Sequence, residues 1–195
     1  MSVDQVPGAE LTSDVLPDQA SGVLVEFVTE SCLVSGRVEI SGAPRRLVDI
    51  MNSIEGKFAI VHEGTVANPW VEDSEARPFD IAQVLLDDIL FATPRGDTPQ
   101  QGSTFETVAK VPVPSTLLLP GLEVSGDFYL LPDGRLTHNA LIATARGFTP
   151  VTDATIVSTR GLTKVWREPI VVVNLLRGFL YVPRLAARRG PKTPL

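Results

Sequence analysis

VSGRVEI, residues 34–40, and VSGDFYL, residues 124–130, stand ninety positions apart and share the opening Val-Ser-Gly of an alternating apolar and polar run. Alternation at a period of two puts one set of side chains on a buried face and the other toward solvent, as in a half-buried strand. Laid over one another without a gap, residues 34–94 and 124–184 agree at eleven positions: Val34, Ser35, Gly36, Arg45, Phe58, Val61, Thr65, Arg77, Leu85, Leu86 and Leu90 with their partners. Composition alone gives roughly 4. Val38 with Phe128, Ile40 with Leu130, Met51 with Leu141, Val66 with Ile156 and Phe91 with Tyr181 keep their apolar character. The chain therefore reads as one unit written twice.

Both copies carry the same signals in the same order. A turn follows the first strand, SGAPR in one copy and LPDGR in the other. In the first copy Leu47, Ile50, Met51 and Ile54 then fall at the spacing of one helix face, over about two turns. Further strands begin at KFAIVHEGTV and GFTPVTDATIV, and each copy closes on apolar runs, DIAQVLLDDILFATP and EPIVVVNLLRGFLYVP. About five strands in so short a unit must curl on themselves to bury a face and protect their edges, which predicts a small barrel per copy. The expected organisation is an acidic tail over 1–21, a first barrel over 22–96, a connector rich in Pro, Ser and Gln over 97–116, a second barrel over 117–184 and a basic tail over 185–195.

Composition sets the outer limits. A chain of 195 residues with 44% apolar and 21% charged residues can bury a core, and its 16 Pro and 15 Gly favour turns over long helices. Cys32 is the only cysteine, so neither an intramolecular disulfide nor a cysteine metal cluster is available. MSVDQVPGAELTSDVLPDQ has no basic and apolar leader pattern, and no apolar run is long enough to cross a bilayer, which together predict a cytoplasmic protein without membrane insertion. A net charge of −6 disfavours a broad nucleic-acid footprint, because phosphate binding draws on Lys and Arg. Charge is polarised along the chain: Asp4, Glu10, Asp14 and Asp18 near the start, Arg184, Arg188, Arg189 and Lys192 near the end.

RRLVDIMNSIEGKFAIVHE resembles a pattern of uncharacterised bacterial small-β-barrel proteins, in which a strand ending in glycine leads to an Arg-Leu-Ser-Asp-Leu-Leu-Asn-like segment and a closing strand. Gly36, Arg46, Leu47, Asp49, Ile50, Met51 and Asn52 carry the likeness, with Val48 in place of the serine. The second copy keeps Arg135 and Leu136 but has Thr137, His138 and Asn139 next. DIMNSIEGKF and NLLRGFLYV are more faintly similar to the two signatures of Sm-like RNA-binding barrels, here divided between the copies. The resemblance implies an all-β fold with one short helix per repeat, a tandem duplication of a small Sm-like or SH3-like barrel. It also implies an oligomer that binds RNA near Asp49, Asn52, Arg177 and Gly178.

Catalytic patterns are missing from the sequence. A hydrolase elbow needs Gly-x-Ser-x-Gly, and a triad needs a base and a carboxylate beside the nucleophile; neither order occurs. His62 and His138 lack partners at metal-ligand spacing. Glu72, Asp73 and Glu75, with Asp87 and Asp88, read as solvated loops, and no glycine-rich phosphate cradle precedes a helix. Asp49 and Asn52 read first as braces of the short helix. Trp70 and Trp166 read as fillers of the barrel mouths or of the contact between barrels, and if exposed as anchors for another protein. The expectation is a protein without cofactor or catalytic activity, associating with itself or with another protein through strand edges or aromatics, with Sm-like RNA binding as the alternative and an enzyme of unknown type third.

Overall fold

A computed structural model of the chain describes residues 22–40, 46–71, 73–96, 110–130, 147–160 and 164–183. The elements are β1 (Gly22–Thr29), β2 (Leu33–Glu39), α1 (Leu47–Ser53), β3 (Phe58–Ala67), β4 (Arg77–Leu85), β5 (Ile89–Arg95), β6 (Val111–Leu119), β7 (Leu122–Leu130), β8 (Phe148–Ser158), β9 (Val165–Asn174) and β10 (Leu180–Pro183). Single 3₁₀ turns, Leu86–Asp88 and Leu175–Arg177, join β4 to β5 and lie between β9 and β10. All strand pairs are antiparallel and form one ten-stranded sheet in the order β10-β6-β7-β8-β9-β5-β1-β2-β3-β4.

The opening stretches of the sequence lie in β2 and β7, and their shared glycine has a physical cause. Pairing of β2 with β3 slips between Ser35 and Arg37, and pairing of β7 with β8 slips between Ser125 and Asp127. Opposite these bulges Glu63 and Asp153 take left-handed backbone, with φ of 47° and 49°. A Cβ on Gly36 would lie 2.5 Å from Val61 Cγ1 and 2.9 Å from the His62 carbonyl. On Gly126 it would lie 2.6 Å from Val151 Cγ1 and 2.7 Å from the Thr152 carbonyl. Only glycine leaves room for the bulged strand to approach its neighbour so closely.

Within the first five strands the order is β5-β1-β2-β3-β4, and within the last five β10-β6-β7-β8-β9. The ladders also correct the gapless match of the two stretches. Val66 faces Arg77 whereas Ile156 faces Trp166, and Phe58 faces Leu85 whereas Phe148 faces Asn174. One residue fewer separates the paired strands in the second half, a change absorbed in the β8–β9 connection, where length varies at little cost. From that turn onward Ile81, Val84 and Leu86 correspond to Ile170, Val173 and Leu175, and the matches of Arg77, Leu85, Leu86 and Leu90 ninety residues on are out of register.

Two closed barrels are not what forms. The ladder does not close: β5, the last strand of the first half, pairs with β1 on one side and with β9 on the other, leaving β4 and β10 as the ends of the sheet. β5 and the end of β9 are buried on both faces, as their unbroken apolar runs require. Along β5, Ile89 and Ala92 enter one core with Val25, Phe27, Val61 and Phe148, while Leu90 and Phe91 enter the other with Val124, Phe128, Val171 and Val173. Each half thus completes the core of the other.

β6 begins at Val111, inside the stretch expected to be connector. Among the described residues, Pro112 and Pro114 fall in the part of β6 that has only β7 beside it, since β10 pairs with Ser115–Leu118, so the missing N–H groups interrupt no second described ladder. In α1, Leu47, Ile50 and Met51 are buried as their spacing predicts. The segment GRLTHNALIA, expected from the sequence to match α1, and both charged tails lie outside the described residues.

β10 is held by Tyr181, whose ring packs edge-on to Phe128 at a centroid separation of 5.5 Å and whose hydroxyl shares a 2.7 Å hydrogen bond with Ser115 Oγ. Burial raises the Tyr181 pKa, and the hydrogen bond to Ser115 lowers it by less. The folded state then holds the phenol proton more tightly than the unfolded chain does. Stability from this group is complete below the unfolded pKa of about 10 and falls as pH rises past it. Urea titrations across that range should show the fall, and Tyr181→Phe should remove its Tyr181 component.

Candidate functional site

Three of the residues singled out in the sequence, Trp70, Trp166 and Arg177, are used inside the molecule, at the seam where β5 meets β9. The backbone ladder there is short, Phe91 opposite Val173 and Ala92 opposite Val172. Side chains extend it. The Trp70 and Trp166 rings meet edge to face at 6.0 Å, and Phe91 meets Trp166 at the same separation. Trp70 Nε1 donates to the Glu30 carbonyl at 2.7 Å, satisfying the one polar atom of a ring otherwise packed on carbon. Arg160 lies 5.2 Å from the Trp70 ring centre and donates to the same carbonyl, and Lys164 lies 5.2 Å from the Trp166 ring and donates to the Pro69 carbonyl.

Arg177 pairs with the Glu30 carboxylate, which Arg160 also reaches at 3.2 Å. Farther along the seam Arg95 on β5 bridges two carboxylates, Glu26 on β1 through Nε at 2.7 Å and Glu168 on β9 at 2.9 and 3.0 Å. Burial works against the charge on Arg95, but the hydrogen bonds to Glu168 and Glu26 outweigh it, so its pKa is raised. Asn174, buried at the end of β9, donates to the Leu86 and Ile89 carbonyls of the first half.

Asn52 lies away from this cluster and joins the halves in its own way. Its amide donates to the Phe148 carbonyl at 2.9 Å and accepts from the Phe148 N–H at 3.2 Å, so α1 is stitched to the start of β8. Asp49 is paired locally with Arg46, the residue just before α1, at 2.9 and 3.0 Å. Gly178 follows the second 3₁₀ turn, where a Cβ would come within 2.7 Å of Leu117 Cδ1. The tryptophans are brought together, and Arg177 joins them through Glu30; Asp49, Asn52 and Gly178 have separate partners.

Among the described residues, both ends of the sheet carry exposed apolar side chains. On β4 Ile81 is 64% exposed, and at the other end Phe179 is 68% and Leu180 47% exposed. Beside β4 lies a cavity of about 580 Å³, lined by Val66, Phe79 and Val84 with Cys32 and Asp88 at its polar margin. The acidic residues at Asp73 and Glu75 stay apart from Asp87 and Asp88, and the described residues hold no group of three His, Cys, Asp or Glu placed to bind a metal ion. No helix among them is long and apolar enough to cross a membrane.

Comparison with known protein families, with curated proteins and with solved structures finds no match to this chain.

Sequence reasoning passed over Glu26, Glu30, Arg95 and Glu168. A signal for two of them was present, since a lone charge in or at the end of an apolar strand run, as at Glu26 in GVLVEFVT and Arg95 after ILFATP, is retained when a partner meets it. Which partner it meets is a matter of strand order.

Proposed function

We propose that this chain is a non-catalytic protein-interaction module that associates through the free edges of its sheet. One observation carries the reading: among the described residues the ten-stranded sheet ends on β4 and β10, each with a single neighbour, and both ends expose large apolar side chains. Edge strands are ordinarily blocked by charge, proline or cover, because their free N–H and C=O groups recruit another strand. β4 has Pro78 and Asp80 near its beginning, yet from Ile81 to Leu85 it carries neither proline nor charge. Added strands gain main-chain hydrogen bonds, and apolar side chains at the edge give them a surface to bury.

The finer architecture belongs to the same proposal. The two five-stranded halves are barrel-like repeats descended from one duplicated unit. Their shared strand order, paired bulges, and left-handed residues at Glu63 and Asp153 support that descent.

Light scattering on the full chain across a dilution series tests the association. The expected result is a mass that rises with concentration, with Ile81→Lys and Leu180→Lys each shifting the rise to at least about tenfold higher concentration. Both sites are exposed, so circular dichroism should stay that of the parent. A mass equal to one chain at every concentration, or association unchanged in both variants, would sink the proposal.

A further inference from the structure

The seam inside the molecule is a worked example of how its two free edges can meet. The ladders set the correspondence between halves: Phe27 faces Ala92 and Leu117 faces Tyr181, so Phe91 on β5 corresponds to Leu180 on β10. On the other side Val173 on β9 corresponds to Val84 on β4, because Asn174 faces Phe148 where Leu85 faces Phe58. The internal junction is β5 on β9. Its counterpart at the ends of the sheet is β10 on β4, which one chain cannot make with itself while the sheet stays open.

We infer that β10 of one chain pairs antiparallel with β4 of a second copy, with Leu180 opposite Val84 and Tyr181 opposite Gln83, and that Phe179 and Leu180 enter the cavity beside β4. This rests on the edge-association reading above and adds the partner, the polarity and the register.

Three observations on the two surfaces agree with that occupant. Leu90 and Phe91, the counterparts of Phe179 and Leu180, are 0% and 1% exposed because they fill the second half's core against Val171 and Val173. The cavity occupies the corresponding place in the first half, lined by Val34, Val66, Ala82 and Val84 where Val124, Ile156, Val171 and Val173 line the other core, and there Phe79 and Ala82 are only part buried. Gln83 is exposed where its counterpart Val172, covered by β5, is buried. Charge is complementary too: Asp80, Asp87 and Asp88 flank the β4 edge, and Arg184, Arg188, Arg189 and Lys192 follow β10 in the sequence. The two surfaces differ, so the contact is head to tail and each added chain offers a fresh edge, giving a closed ring or an open fibre according to the rotation per chain.

Two blocked chains decide the matter. Ile81→Lys disables β4 and leaves β10; Leu180→Lys disables β10 and leaves β4. Each alone is expected to stay a single chain by light scattering, and an equal mixture to form a one-to-one dimer and nothing larger. In that mixture Cys32, at the cavity margin, should react with a maleimide at least about tenfold more slowly on the Leu180→Lys chain, whose cavity is filled, than on its partner. The same slowing with rising concentration in the unaltered chain provides a reading that needs no variant. Dimers of either variant by itself would mean like edges pair with like, overturning the head-to-tail contact while leaving edge association intact. A mixture without dimers, beside an unaltered chain that does associate, would overturn the contact in the same way. An unaltered chain that never associates overturns this inference together with the reading beneath it.

Discussion

Phe91→Ala is expected to lower the stability of the entire sheet by roughly 4 kcal/mol. Phe91 is 1% exposed on β5, faces Val173 across the seam, and packs edge-on to Trp166. Truncation removes the transfer free energy of the ring and leaves a cavity whose walls come from both halves, Val28 on one side and Val171 and Val173 on the other. Because each half closes the other's core, the loss should appear as one cooperative unfolding transition shifted to lower denaturant, with little change in slope. Chemical denaturation followed by tryptophan fluorescence reads it directly, since Trp166 lies against the altered site. Two separated transitions, with only the later half destabilised, would contradict the shared-core account.

Gly36→Ala should cost about 2–3 kcal/mol, an unusual price for adding one methyl group within a strand. The new Cβ would lie 2.5 Å from Val61 Cγ1 and 2.9 Å from a backbone oxygen, and Val61 is fully buried with a stiff branched side chain that has nowhere to turn. Either β3 moves away from β2 at the bulge or the ladder opens there. If the clash is the cause, Val61→Ala, itself destabilising, should relieve part of it, so the double variant loses less than the sum of the singles. Gly126→Ala should behave alike, with Val151→Ala as its partner. Strict additivity in both pairs would assign the cost to something other than this close approach.

Much of the local structure was legible in the residues. Alternation located the strands of each half, including those that open on Val-Ser-Gly, and the spacing of Leu47, Ile50, Met51 and Ile54 located the buried face of α1, which ends one residue before Ile54. The tryptophans read as fillers of the barrel mouths or of the contact between barrels, or as exposed anchors; that their rings meet edge to face is visible only in the folded chain. Asn52 read as a brace of its own short helix, whereas its amide pairs with the Phe148 backbone on β8, a partner 96 residues away that local spacing does not reveal. Three further things were not legible. The prolines of VPVPST suggested a connector, because proline depletes strand ladders, and only knowing that β10 stops short of Pro112 and Pro114 makes them acceptable. The one-residue slip after β3 was hidden by chance identities such as Arg77 with Arg167. The seam was hidden altogether.

The sequence by itself determined where this chain is extended, where it turns and which faces are apolar, because those properties follow from periods of two and 3.6 residues and from local sterics. Tertiary structure decided that β5 adopts β9 as its second neighbour, that Arg95 and Glu30 find their ion pairs across that seam, and that β4 and β10 are left open. Every apolar strand offers the same row of N–H and C=O groups to a neighbour. Which of two such edges meet is settled only by how whole surfaces fill one another's cores, and that matching is spread over residues far apart in the chain.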